Sequence, residues 1–110
     1  MRVFVAGGSG AIGRALVPRL VAAGHEVAAT TRSPEKAGLV ESLGATPVVL
    51  DALDEEAVRT AVRKFRPAAL MNQLTSLPQR YDPRRLGPAY EATARLRVDG
   101  TRILLRAAAE

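Results

Sequence analysis

Three glycines at a spacing of three, Gly7-x-x-Gly10-x-x-Gly13, separate two segments of different periodicity. Before them, Arg2-Val3-Phe4-Val5-Ala6 is a short apolar run of buried-strand type. After them, the stretch from Ala11 to Ala23 sets Ile12, Leu16, Leu20 and Ala23 on one face, the i, i+4 spacing of an amphipathic helix. A chain that must leave a strand, turn at once and enter a helix is committed to a strand–loop–helix unit. Within that unit each glycine has a physical task. Gly7 lets the chain turn tightly, Gly10 leaves the backbone open to close approach, and Gly13 lets the helix pack close to the strand.

The alternation continues along the chain. Gly24 stands where the first helix should stop, and Glu26 to Thr31 reads as a second strand. Ser33-Pro34-Glu35 reads as a helix start: a capping hydroxyl, a proline in the first turn and an acid near the positive helix end. That helix is expected to run to Leu43, with Gly44 ending it. Thr46 to Leu50 is a third strand. Asp54 caps a third helix, with Glu55 and Glu56 in its first turn and Val58, Val62 and Phe65 facing inward. Ala68 to Gln73 is a fourth strand, Leu74 to Gly87 a loop, and Pro88 to Ala109 a long helix with Leu96, Ile103 and Ala107 on one stripe. Strands alternating with helices predict an α/β fold, a doubly wound parallel sheet of Rossmann type with helices on both faces. Right-handed crossovers then predict the strand order 3-2-1-4. Residues 1–110 read as one domain, with no internal repeat beyond this unit.

Composition removes several alternatives. Hydrophobic residues make up 47% of the 110, enough for a core, and aromatics only 4%, so the core must be aliphatic. There is no cysteine, which excludes disulfides and thiolate metal sites, and the single histidine, His25, cannot make a metal site alone. No apolar run approaches the roughly 20 residues of a membrane span. The apolar run at the N-terminus is too short for a signal peptide. A soluble, cytoplasmic protein without a membrane partner is expected. The formal charge of +5 would suit nucleic acid. The arginines, however, are scattered among Asp and Glu, and Tyr81 and Tyr90 are the only aromatics in the most basic stretch. A solvated basic surface is the better reading, and no nucleic-acid partner is expected.

The glycine loop also carries ligand chemistry. The helix it opens aims the first amides, those of Ala11 and Ile12, and its positive dipole end at whatever lies before it, which suits phosphate. Ser9 can add a hydroxyl. Gly7, Ser9, Gly10, Ala11, Ile12 and Gly13 are therefore candidates to hold the pyrophosphate of NAD(P); the other reading is a glycine-rich turn with no ligand. It is not a Walker A loop, because no Lys-Ser/Thr pair follows the last glycine. About 20 residues on, NAD-preferring folds carry an acid for the ribose 2′-hydroxyl. Here the stretch reads Ala29-Thr30-Thr31-Arg32-Ser33, with no acid. Arg32 can grip a 2′-phosphate with a bidentate fork, Thr31 and Ser33 can add hydroxyls, and Arg14 lies near enough to assist. Arg32 could equally be an ordinary exposed cation at a strand end. NADP is favoured over NAD. After the third strand, in Leu50-Asp51-Ala52, the Asp51 carboxylate is placed to accept from an adenine amino group, unless it only terminates the strand.

These residues resemble the extended short-chain dehydrogenase/reductases, the NAD(P)-dependent epimerase/dehydratase family. The resemblance lies in Val3 to Gly13, in Gly24-His25-Glu26-Val27, in Asp51, in Ala69-Leu70-Met71-Asn72-Gln73 and in Val98-Asp99-Gly100-Thr101-Arg102-Ile103-Leu104-Leu105, so it covers the whole chain. It implies that Gly7, Gly10 and Gly13 contact the pyrophosphate, that Asp51 and its neighbour Ala52 sit at the adenine, and that Gln73-Leu74-Thr75 meets the ribose and phosphates. The family's catalytic pair is Tyr-x-x-x-Lys. Here Tyr81 is followed by Arg85 and Tyr90 by Ala94, and the Asn that often precedes Val-x-Gly-Thr is Arg97. No catalytic residue is assigned. In the family that motif follows the fourth helix, so the chain looks like the N-terminal cofactor-binding portion of a longer oxidoreductase, incomplete relative to the family and inactive alone. A non-catalytic NADP-binding regulatory or sensor protein of the same superfamily is the alternative. Without a fifth strand the edge Ala68 to Gln73 carries no charge or proline, which favours a homo-oligomer.

Overall fold

The computed structural model describes residues 1–74, 91 and 94–109. Four strands, β1 (Arg2–Ala6), β2 (Glu26–Thr31), β3 (Thr46–Val49) and β4 (Ala69–Asn72), form one parallel sheet in the order β3-β2-β1-β4. This is the expected Rossmann-type order. β1 is central: Val3 pairs with Val27 on one side and with Ala69 on the other. Alternate side chains of a strand leave opposite faces of the sheet, so a central strand covered on both faces must be apolar throughout. Val3 and Val5 pack into a cluster with Val17, Val27, Ala29 and Val40, beneath helices α1 (Ala11–Ala22) and α2 (Ala37–Ser42). Phe4 and Ala6 pack into a second cluster with Ala28, Val58, Val62, Ile103 and Leu104, beneath α3 (Glu55–Phe65) and α4 (Thr101–Ala108). Phe65 is half-buried here; its ring lies 6.3 Å from that of Phe4, with the Arg2 guanidinium 5.9 Å from its centre on the outside.

Several boundaries and faces differ from the sequence reading. In α1 the buried residues are Gly13 and Val17, flanked by half-buried Leu16, Leu20 and Val21. Of the stripe Ile12, Leu16, Leu20 and Ala23 only the middle two take part; Ile12 is 61% exposed and Ala23 is exposed and past the helix end. The cause is Gly13, which belongs to the inward face and rotates its neighbour Ile12 about 100° away from it. Ser33 does not cap a helix with its hydroxyl. A 3₁₀ turn, Pro34–Lys36, follows it, closed by the Lys36 N–H on the Ser33 carbonyl at 3.0 Å. That turn delays α2 to Ala37. Asp54 caps α3 as expected, its carboxylate accepting from Ala57 N at 3.2 Å.

Leu50, Ala68 and Gln73 fall outside the strands expected to contain them. The last two still extend the β1 ladder: Ala68 N donates to the Arg2 carbonyl and Gln73 N to the Ala6 carbonyl, both at 2.8 Å. A π-type turn, Leu96–Gly100, precedes α4, and Leu96, Ile103 and Ala107 are buried as the stripe predicts. The start of the expected long helix at Pro88, and the loop from residue 75 to Gly87, lie outside the described residues. Among the described residues no helix is long and apolar enough to cross a membrane.

Candidate functional site

The chain crosses from β1 to β2 on one side and has β4 on the other, so a crevice opens beyond the carboxyl end of β1, where open α/β sheets place their ligands. The glycine loop occupies it. Gly7 has φ +92, a conformation that side chains disfavour, and a Cβ there would run into the Gln73 carbonyl. A Cβ on Gly8 would lie 2.5 Å from the Ala29 Cβ, and one on Gly13 2.5 to 2.7 Å from the backbone of Gly7 and Gly8. Gly10 differs from these three. A Cβ there would have the Gly7 carbonyl oxygen at 3.9 Å as its nearest neighbour. Three glycines are thus required by the protein's own packing, and the fourth faces open space before the first turn of α1, where the Arg14 N–H closes on the Gly10 carbonyl at 2.9 Å.

That space is part of a cleft of about 850 Å³. It brings together most of the candidates: Gly7, Ser9, Gly10 and Ala11 from the loop, Thr31, Arg32 and Ser33 from the end of β2, Asp51 and Ala52 after β3, and Gln73 and Leu74 after β4. Arg14 lines it as well. Ile12 and Gly13 do not. Gly13 acts from behind, as the contact that seats the loop, and Ile12 turns to solvent. Thr75 lies outside the described residues. The cleft also contains Thr30, Lys36, Leu50 and Leu96, which the sequence reading did not select. Lys36 had a faint signal, a cation three residues past Ser33, but only the 3₁₀ turn brings it to the cleft.

The charges are uneven. Arg14, Arg32 and Lys36 line the cleft, and among the described residues none of them pairs with a carboxylate. Among the described residues Asp51 is the only acid in the lining, and one of its carboxylate oxygens already accepts the Leu53 N–H at 2.9 Å. Asp51 therefore both shapes the turn after β3 and borders the cleft. The hydroxyls of Ser9 and Thr31 face each other at 3.1 Å, and Thr31 Oγ1 accepts the Ser33 N–H at 3.3 Å. At the end of β4, Asn72 accepts the Leu74 N–H at 3.1 Å and donates to Thr101 Oγ1 at 2.8 Å, tying the segment after β4 to α4. Leu74 lies so near Gly100 that a Cβ there would sit 2.9 Å from its Cδ1. A cleft with a helix N-terminus at its base, three cations in its lining and a glycine facing open space has the chemistry to bind an extended polyanion.

Comparison with known proteins bears on that chemistry. Residues 7–98 match the family described as NAD(P)H-binding. A 3-diazoavenalumate denitrifying reductase from a Streptomyces species is 46% identical over 109 residues, which cover 98% of this chain and 34% of the reductase. A 4-hydroxy-2-methyl-3-oxo-4-farnesyl-3,4-dihydroquinoline-1-oxide ketoreductase from Stigmatella aurantiaca is 53% identical over 49 residues, 44% of this chain and 15% of that protein. Among solved structures, UDP-glucose 4-epimerase from Thermus thermophilus in complex with NAD superposes with a TM-score of 0.77 at 29% identity, over 97% of this chain and 33% of the epimerase. A Serratia marcescens short-chain dehydrogenase/reductase superposes with a TM-score of 0.68 at 27% identity, over 96% of this chain and 49% of that one. The chain spans about a third of the length of the reductase and the epimerase.

Proposed function

The chain belongs to the NAD(P)H-binding family, in the short-chain dehydrogenase/reductase and epimerase/dehydratase group, and on that premise we propose that it binds NADP in preference to NAD as the cofactor-binding portion of a reductase. The observation that carries the cofactor choice is the trio Arg14, Arg32 and Lys36 in the lining of the cleft, with no acid at the end of β2. An acid there would repel a 2′-phosphate, whereas a guanidinium fork and an ammonium attract one. The residues fit the group at its other end too: Gly10 leaves room above the amides of α1 for a pyrophosphate. In this reading Gly7, Ser9, Gly10 and Ala11 border the pyrophosphate, and Thr31, Arg32 and Ser33, with Lys36, the 2′-phosphate. Asp51 and Ala52 lie at the adenine, and Gln73 and Leu74 at the ribose and phosphates. A bound nicotinamide would supply hydride to the substrate. The chain's own residues bind and orient; none of its tyrosines is followed by a lysine at the family's catalytic spacing. The reductase activity follows the Streptomyces relative's.

NADPH is expected to bind more tightly than NADH by about 1–3 kcal/mol, the scale of a charge-assisted contact. Arg32→Asp should reverse the order. Calorimetric titration of both nucleotides into both proteins measures this, and equal affinities for the unaltered chain would refute the NADP assignment.

Self-association of the 110-residue chain is a further expectation. Among the described residues no strand lies beside β4 on its outer side, and Ala69-Leu70-Met71-Asn72 has neither charge nor proline to discourage pairing. Leu105 of α4 is 66% exposed. Light scattering at micromolar concentration should therefore find a dimer or larger species; a monomer would rule out self-association through this edge.

A further inference from the structure

The end of β2 carries two threonines where its inner positions carry Val27, Ala28 and Ala29. Thr30 is 4% exposed and Thr31 3% exposed, yet a strand in mid-sheet needs neither hydroxyl for its ladder. A buried hydroxyl costs stability unless it is bonded, and both are. Thr30 Oγ1 accepts the Gly7 N–H at 2.9 Å, and the Thr30 carbonyl accepts the Gly8 N–H at 2.8 Å. One residue thus holds two successive amides of the glycine turn. Thr31 adds a second tie through Ser9 Oγ at 3.1 Å. The turn so held has little slack, because side-chain space at Gly7 and Gly8 is closed by Gln73 and Ala29.

Resting on the dinucleotide reading above, we propose that Thr30 is a positioning residue for the phosphate end of the site. Its hydroxyl fixes the Gly7–Gly8 turn, the turn sets the place of Gly10, and Gly10 sets where the first amides of α1 point. Thr30 acts through the Gly7 N–H that its hydroxyl oxygen accepts. Thr30→Val keeps the shape and removes the acceptor, so the Gly7 amide is left buried without a partner and the turn shifts to find water. The loss should be confined to ligands that use the loop.

The test is titration of the 110-residue chain, Thr30→Val and Thr30→Ser with NADPH and with 2′-AMP, which carries the 2′-phosphate but no 5′-phosphate. Thr30→Val should weaken NADPH about tenfold and 2′-AMP less than twofold, and Thr30→Ser should restore NADPH to within twofold. A loss shared equally by both ligands, or none for NADPH, overturns the proposal. Hydrogen exchange on the unaltered chain reads the same bond without any variant. The Gly7 amide should be protected to the level of the β1 amides, and free exchange there overturns the proposal even if Thr30→Val does not fold. Absence of NADPH binding by the unaltered chain would instead overturn the dinucleotide reading on which it rests.

Discussion

Gly13→Val should cost at least about 4 kcal/mol and remove most of the cooperative melt, because the new side chain has nowhere to go. Its Cβ would lie 2.5 Å from the Gly7 carbonyl oxygen and 2.7 Å from the Gly8 carbonyl carbon and oxygen. These are backbone atoms, so no rotamer change relieves the contact. The turn that contributes them is itself pinned by Thr30 and by the Gln73 carbonyl. Ordinary overpacking costs about 1–3 kcal/mol when side chains can shift; here α1 must lift off β1. Lifting it uncovers Val17, which is fully buried against Val3 and Val5. The helix-propensity gain on replacing a glycine, below about 1 kcal/mol, is too small to offset this. A total stability of about 5–15 kcal/mol leaves little margin, and at about 4–8 °C per kcal/mol the midpoint should fall by at least about 15 °C. Thermal denaturation followed by circular dichroism measures it. A midpoint within a few degrees of the unaltered chain would show that α1 does not depend on this close approach.

The fold was readable because its strongest signals are local. Val3 to Ala6 has the pattern of a strand covered on both faces, and Asp54-Glu55-Glu56 the pattern of a helix start, each within a few residues of sequence. Strand order followed from chirality rather than from any residue. Errors entered where a contact was decided by the third dimension. Ile12 looked inward as long as Gly13 was counted as loop; once Gly13 is the residue that touches the loop backbone, the stripe moves by one position and Ile12 turns out. Ser33 had the composition of a cap, but its N–H and carbonyl were claimed by Thr31 and Lys36, and a 3₁₀ turn resulted. The site shows the same division. Its glycines, Arg32 and Asp51 sit at fixed offsets from strand ends, so spacing located them. Thr30 and Lys36 have no such offset. Thr30 matters because β2 runs beside β1, and Lys36 because the turn after Ser33 folds back. Asn72 and Thr101 meet across 29 positions of sequence, and no periodicity reports a contact of that range.

Gly10→Val should separate binding from folding, with the opposite outcome to Gly13→Val. Gly10 has φ −75 and ψ 176, extended values open to any residue, and a Cβ there meets nothing nearer than 3.9 Å. The structural cost is confined to the cap of α1, where valine is worse than glycine by about 1 kcal/mol, and the midpoint should move by about 4–8 °C. Binding is a different matter. The branched side chain projects into the space before the first amides of α1, whose N-cap and first residue line the cleft. A pyrophosphate displaced from there by the width of a methyl group loses hydrogen bonds to those amides and their dipole together. Several charge-assisted contacts, each about 1.5–3 kcal/mol, amount to a loss of more than about a hundredfold. Calorimetry with NADPH should accordingly detect no binding at concentrations that saturate the unaltered chain, while circular dichroism still shows a cooperative melt. Unchanged affinity would place the ligand away from the glycine loop. A collapsed melt would mean that Gly10 serves the protein's own packing after all, against the open space in front of it.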